Sequence, residues 1–367
     1  MKGLYIHDID IETQKEYRGV YNKISYQIKA FENNGVDMDK IEVINNQIYI
    51  NRRNTKINVD SSGLGRLKNN KFFFKIIKKN LIKKDYDFIY IRFSMANIGM
   101  LKLIDKMAKC NKKVYLEIPT YPYYEELENN FKNKILKYLD KIIWYKLKGS
   151  IYKIVSTSDL KKINNVDVIN IINGVDLDKI KLKNKKEHDG INLVGVANVS
   201  KWHGYDRVIL GLSDYVKSNK TDVNFYIIGG GSEIENLKDL TKRLGVENYV
   251  HFLGVKYGKE LDRLMEEMDI GVSSLALFRA GGGHDPIKSK EYAAMGIPIL
   301  LGYKDRGFNE ELDFIFQVPS DESYIDIENV KFNYKKLKSN SLIIRKFAEE
   351  NLSWDSQTKK VLLDITN

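Results

Sequence analysis

Short apolar runs alternate with amphipathic stretches along most of the chain. In the first half, "KGLYIHDI", "DFIYIRFS" and "KKVYLEIP" have the continuous apolar character of strands buried on both faces, and "GVYNKISYQIKAFENNG" and "NIGMLKLIDKMAKC" carry helical spacing. The alternation restarts after "VDVINIINGVDLDKI", with strands predicted in "GINLVGVANVS", "VNFYIIGGG", "YVHFLG", "DIGVSSLA" and "IPILLG". Helices are predicted between them, in "YDRVILGLSDYVKS", "IENLKDLTKRLG", "GKELDRLMEEM" and "SKEYAAMG". The pattern predicts an α/β protein of two doubly wound, Rossmann-like domains, residues 1–171 and 172–351, with the lysine-rich stretch 179–190 as linker or surface loop.

In open α/β sheets, ligands bind beyond the carboxyl ends of the strands. That rule selects His7 and Asp8, Arg92, and Glu117 with "PTYPY" from the first half, and "NVSKWHGYDR", "GGGSE" (with Gly230) and "GGGHDPIKSKEYAAMG" from the second. In the last stretch, Asp285 and Pro286 suit a helix start and Gly296 a helix stop. The preceding glycines let backbone approach a ligand, and free amides at a helix start attract an anion such as a diphosphate. Lys288 adds a full charge there. Glu291, one turn on, can accept hydrogen bonds from two vicinal hydroxyls, and phosphate beside ribose means a nucleotide. A plainer reading stands beside this one: Asp285 a cap, Lys288 and Glu291 a surface ion pair, the glycines a loop.

Composition narrows the partners. The 367 residues carry 60 Lys+Arg against 49 Asp+Glu, a formal charge of +11. The excess points to an anionic partner or to a general bias toward lysine, asparagine and isoleucine. No stretch approaches a membrane span, and "MKGLYIHDID" lacks the basic start of a signal peptide, so a cytoplasmic chain is expected. The single cysteine, Cys110, excludes an internal disulfide and reads as a packed thiol.

"INGVD", "FYIIGGGSEIENL", "VHFLGV", "ELDRLMEEMDIGVSSL" and "KEYAAMGIPIL" occur in the order and spacing found in GT-B glycosyltransferases of the large retaining family, family 4-like. The resemblance covers most of residues 172–303, and "WHGYDR" and "EIPTYPY" resemble a bacterial surface-polysaccharide branch. It implies two domains facing each other across a cleft, with a last helix, about 352–367, crossing back onto the first. A nucleotide diphosphate sugar would lie mainly in the second domain, and an acceptor would enter from the first. Glu291 then corresponds to the ribose-binding member of the family's glutamate pair, with Lys288, Pro286 and the backbone amides of His284, Asp285 and Ile287 beside the phosphates and sugar. The pair's other glutamate is replaced by Gly283. The family's phosphate clamp is also altered, leaving Lys201, His203 or Arg207 to share its task, while "YRGVYNKISYQIKAF" places Gly19 near the donor phosphates.

The expected reaction is retaining hexosyl transfer, without a required metal or other cofactor, to a glycan or a polyprenyl-diphosphate-linked acceptor in surface polysaccharide or capsule synthesis. Lys288, Asp285 and Glu117 are the candidate catalytic groups, and Arg92, Tyr121 and Tyr123 the acceptor-side candidates. Tyrosines packed on the core and an interdomain Arg92 salt bridge are the plain alternatives. The basic, aromatic-containing segments 65–84 and 131–153 suit an anionic membrane surface, peripheral on its inner face, or a solvated lysine-rich helix face. A catalytically inactive scaffold that binds glycan or a partner transferase is the competing function. Nucleic-acid binding would explain the charge but not the paired domains, so no nucleic-acid partner is expected.

Overall fold

The computed structural model describes every residue except 11, 13–16, 46, 53–54, 60–84, 94–97, 124–130, 282–284, 310 and 367. The basic segment 65–84, Gly283 and His284 therefore lie outside the described residues. The backbone divides into two compact units, Met1–Ile172 with Trp354–Asn367, and Asn173–Ser353.

The first unit is built on β1 (Lys2–Ile6), β2 (Asp37–Ile44), β3 (Gln47–Arg52), β4 (Thr55–Val59), β5 (Phe88–Arg92), β6 (Lys113–Ile118), β7 (Lys153–Ser156), β8 (Lys162–Ile163) and β9 (Val166–Asn170), in the order β4-β3-β2-β1-β5-β6-β7-β9-β8. The six from β2 to β9 are parallel, with β3, β4 and β8 added antiparallel at the edges. Helices cover both faces of a parallel sheet, so its central strands carry unbroken apolar runs, as in the fully buried "FIYIR" of β5. Helix α1 (Arg18–Asn33) buries Ile24, Gln27, Ala30 and Phe31. Against it packs the terminal helix Trp354–Thr366, joined by Asn33 and Asn34 to Asp355 and by Lys23, whose ammonium stands 5.3 Å above the Trp354 ring. Helix α2 (Ile98–Lys109) ends at a turn where Asn111 takes a positive φ of 56°. Cys110 lies in that turn and is exposed, which corrects the expectation of a packed thiol. Helix α3 (Phe131–Leu147) follows β6.

The second unit holds β10 (Ile191–Val196), β11 (Val223–Ile228), β12 (Val250–Gly254), β13 (Ile270–Val272), β14 (Ile299–Leu301) and β15 (Ile315–Gln317). All are parallel, in the order β12-β11-β10-β13-β14-β15. Counted from β10 this is 3-2-1-4-5-6, the dinucleotide-binding order, so the chain reverses direction across the sheet between β10 and β13. Helices α4 (Tyr205–Lys217), α5 (Ile234–Leu244), α6 (Gly258–Met265) and α7 (Lys288–Met295) connect the strands. The lysine-rich stretch belongs to this unit: the Lys183 amide donates to Met295 and that of Lys186 to Glu266.

Two glycines in the strands exist because tyrosines press on them. A Cβ on Gly271 of β13 would meet the Tyr292 ring at 2.3 Å, and one on Gly195 of β10 would meet Tyr205 at 2.4 Å. The Tyr292 hydroxyl accepts from the Val196 amide at 2.9 Å and donates to the Val194 carbonyl at 3.3 Å, fastening α7 to the end of β10.

Candidate active site

The candidate site of the second unit stands at the reversal between β10 and β13. After β10 the chain makes a short 3-10 turn, Lys201–His203, which Gly204 closes in the left-handed region at φ 65°. The loop after β13 is bonded to this turn, Leu275 donating to the His203 carbonyl at 2.9 Å and Ala276 to that of Trp202 at 3.2 Å. Helix α7 arrives from the far side, and the Lys288 Nζ lies 2.8 Å from His203 Nε2. An ammonium has no lone pair, so with Lys288 charged, Nε2 must accept and the imidazole is neutral. On the other side of the ring, Nδ1 stands 2.9 Å from the Ser200 amide, which points at it, and 3.1 Å from the Ser200 carbonyl. Burial first and adjacent Lys288 second push the His203 pKa down to about 4, against the Ser200 hydrogen bond.

Glu291 shares the first turn of α7 with Lys288. Burial raises the Glu291 pKa, opposed by Lys288; burial lowers that of Lys288, opposed by Glu291. The two hold complementary charge in a partly dry place, where Glu291 has no side-chain hydrogen bond among the described residues.

The start of α7 differs from the sequence expectation. The helix begins at Lys288, with Ile287 in the capping position and no side-chain cap, because the Asp285 carboxylate is bound elsewhere. It receives the Lys290 ammonium at 2.6 Å and the Asn173 amide at 2.9 Å. Lys290, wholly buried, also contacts Asp305 at 3.2 Å and the Pro286 carbonyl at 2.9 Å. Asp305 in turn accepts from the Tyr303 hydroxyl, the Ser289 hydroxyl and the Gly307 amide. This network fixes the approach to Lys288 and Glu291. Sequence reading passed over Lys290 and Asp305; the signal was a lysine on the face of α7 that also carries Ala293 and Ala294 into the core.

The other donor-side candidates separate. Arg207 is fully buried and spends its guanidinium on the carbonyls of Ser323 (2.6 Å), Leu275 and Pro319 (3.0 Å), so it ties α4 to two loops. Lys201 is exposed. Among the three glycines after β11, Gly229 and Gly231 have positive φ, and a Cβ on them would strike the backbone of Ala197 and Val199. Gly230 between them meets only Val255 Cγ2, at 3.5 Å. Gly19 lies exposed in the first turn of α1, in the other unit.

In that first unit, Arg92 and Glu117 face each other. They are register partners at the ends of β5 and β6, joined at 2.6 Å, and Glu117 also accepts from Gln27 and Tyr5, both at 3.0 Å. Burial raises the Glu117 pKa, but Arg92, Lys23 and these hydrogen bonds outweigh it and hold the carboxyl below its usual range. The ion pair lies within one unit, buried, with both charges matched. Tyr121 and Tyr123 lie instead beside α3, where the Tyr123 hydroxyl donates to Asp140 at 2.6 Å and accepts from Trp144 at 2.7 Å.

Among the described residues, no group of three or more His, Cys, Asp or Glu could hold a metal ion, and no helix is long and apolar enough to cross a membrane.

The fold, two Rossmann-like α/β units with parallel sheets, is that of the GT-B glycosyltransferases. A glycosyltransferase from Rickettsia africae ESF-5 superposes with a TM-score of 0.62, covering 100% of this chain and 97% of that one at 17% identity. Anabaena Alr3699/HepE, solved in complex with UDP, gives 0.61 over 100% of both chains at 13% identity. Residues 176–314 match the family model "Glycosyl transferases group 1". In sequence, the chain is 24% identical over 272 residues to the uncharacterized glycosyltransferase MJ1069 of Methanocaldococcus jannaschii, covering 70% of this chain and 68% of that one.

Proposed function

We propose that the protein transfers a hexosyl unit from a nucleotide diphosphate sugar, with retention, to a glycan or polyprenyl-diphosphate-linked acceptor in surface polysaccharide synthesis. The observation that carries this reading is the meeting of Lys288, His203 and Glu291 where β10 and β13 diverge. Lys288 has donors to spare beyond His203 and faces the diphosphate, together with the first-turn amides of α7. Glu291 accepts from the ribose hydroxyls. Gly230 lets the ligand lie close to the backbone. UDP, the nucleotide bound by the Anabaena structure, is the first candidate.

In the reaction, the bond from the anomeric carbon to the diphosphate oxygen breaks and the acceptor oxygen bonds to that carbon on the same face. The acceptor proton passes to the departing diphosphate. Lys288 and the fixed amides stabilise the charge that develops on the leaving group, where the site acts more strongly on the transition state than on the donor. With Arg207 and Asp285 engaged by protein groups, Lys288 is the central cation of this scheme. The same engagement favours the scaffold reading, which predicts ligand binding without turnover.

Calorimetric titration with UDP, GDP and their sugar conjugates tests the proposal on wild type and Glu291→Ala. A hydrogen bond to a charged group is worth about 2 kcal/mol, so the variant should bind one nucleotide about 30-fold more weakly. No binding to any of them, or equal binding by the variant, sinks the site assignment. Binding without release of nucleotide diphosphate in the presence of acceptor assigns the scaffold role.

The acceptor is met at the inner face of a membrane. Helix α3 supports that location, since it exposes Tyr138, Ile142 and Tyr145 among lysines.

A further inference from the structure

Helix α3 is apolar on two sides. Trp144 and Leu147 point into the core, and Asp140, the only acid between residues 131 and 153, is buried on the Tyr123 hydroxyl. The outward side repeats apolar residues at spacings of three and four, Ile135, Tyr138, Ile142 and Tyr145, with Tyr138 67% and Tyr145 75% exposed. A second apolar stripe that remains at a surface calls for a second apolar medium. The charge beside this stripe has one sign, from Lys134, Lys141 and Lys148.

Between α3 and the β8–β9 turn lies a cavity of about 360 Å³. Among the described residues its walls are aromatic (Tyr121, Tyr123, Trp144, Tyr145), two lysines (Lys141, Lys148) and the turn residues Asn164 and Asn165, with no acid among them. Both asparagines are held at positive φ, 49° and 67°, which an Asn-Asn hairpin turn accommodates. Tyr145 belongs to the cavity and the exposed stripe at once, so the polar pocket opens at the edge of the apolar surface. Two ammonium groups suit a phosphodiester, and the amides suit hydroxyls.

We infer that this cavity is a headgroup site for an anionic phospholipid carrying a hydroxylated headgroup, of the phosphatidylglycerol type, and that the stripe on α3 lies in the lipid interface beside it. The inference rests on the membrane location proposed above and adds to it a defined lipid-binding pocket. Such a pocket makes attachment selective for headgroup chemistry, where a lysine-rich face alone answers only to surface charge.

The test compares two double variants that remove the same charge from the same segment. Lys141→Ala/Lys148→Ala alters the pocket; Lys134→Ala/Lys146→Ala leaves it intact. Co-sedimentation of the full chain with phosphatidylcholine vesicles, with and without phosphatidylglycerol, reads surface attachment. Each lysine near an anionic leaflet contributes about fivefold, so both pairs should weaken binding, and the pocket pair should weaken it further still. Tryptophan emission, which Trp144 reports from the pocket wall, should shift saturably when monomeric dihexanoyl phosphatidylglycerol is added to wild type and to the control pair, but not to the pocket pair. Thermal midpoints equal to wild type establish that the variants fold. Equal losses by the two pairs, with no saturable shift, overturn the pocket while the membrane location stands. No attachment of wild type to either vesicle overturns both. Saturation by inorganic phosphate as readily as by the lipid makes the cavity a free-phosphate site and overturns the lipid assignment.

Discussion

Replacing Lys290 by methionine tests whether the site is held from beneath. The ammonium is completely buried between Asp285 and Asp305, at 2.6 and 3.2 Å, and methionine fills most of its volume without its charge. Removing one partner from a buried ion pair costs roughly 3–5 kcal/mol, because it strands the opposite charge. Here the stranded carboxylates are not bare: Asp305 keeps the Tyr303 and Ser289 hydroxyls and the Gly307 amide, and Asp285 keeps the Asn173 amide. The lower end, about 3 kcal/mol, is therefore expected in urea titrations followed by circular dichroism. Adding Asp305→Asn should recover about 1 kcal/mol or more by removing one stranded charge. Because the network fixes the approach to α7, nucleotide affinity should drop as well. A stability loss below about 1 kcal/mol would refute the role of Lys290 as a buried tie. A large loss with unchanged nucleotide affinity would refute its role in positioning Lys288 and Glu291.

Two further outcomes are expected. His7 is buried with no side-chain hydrogen-bond partner among the described residues, and desolvation first, then the cations Lys40 and Arg92, lower its pKa to about 3 against the opposing Ile9 backbone. Its folded pKa lies below its unfolded one, so the stability it permits at neutral pH is lost as the pH falls from 6.5 toward 3; His7→Leu should remove about 2 kcal/mol of acid sensitivity between pH 7 and 5, read from urea midpoints. Gly229→Ala drives a Cβ to 1.8 Å from the Ala197 carbonyl at a φ of 135°, whereas Gly230→Ala meets an ordinary 3.5 Å contact. Alanine at 229 should lower the thermal midpoint sharply, and alanine at 230 should leave it unchanged while weakening nucleotide binding.

Much of this architecture is legible as periodicity. Apolar runs of strand length, separated by amphipathic stretches, identify the β/α alternation because buried parallel strands and half-buried helices need those patterns. The glycines after β11 stand out for the same physical reason, although sequence alone does not say which of the three the backbone requires. Charged residues are harder to place. Arg92, Glu117, Asp285 and Arg207 all follow strands or begin helices, where ligand groups are expected, yet each has found a protein partner. For one pair the clue was present: "FIYIR" and "VYLE" end in opposite charges, and parallel neighbours bring such ends into register. For Arg207 no local pattern could announce it, since its partners are carbonyls of residues 275, 319 and 323, brought close only by the fold.

The tyrosines resting on strand glycines have an evolutionary side. Gly271 and Tyr292 fill one volume between them, as do Gly195 and Tyr205, so neither member can change alone without a clash or a void. A methyl group at 271 would evict the Tyr292 ring and with it the hydroxyl that accepts from the Val196 amide. The disturbance would travel from the middle of the sheet to the residue next to Glu291. Such pairs should therefore be inherited as units, glycine with tyrosine or a larger strand residue with a smaller helical one, and a lineage that exchanges one pair for another changes the seat of Glu291 without touching Glu291 itself.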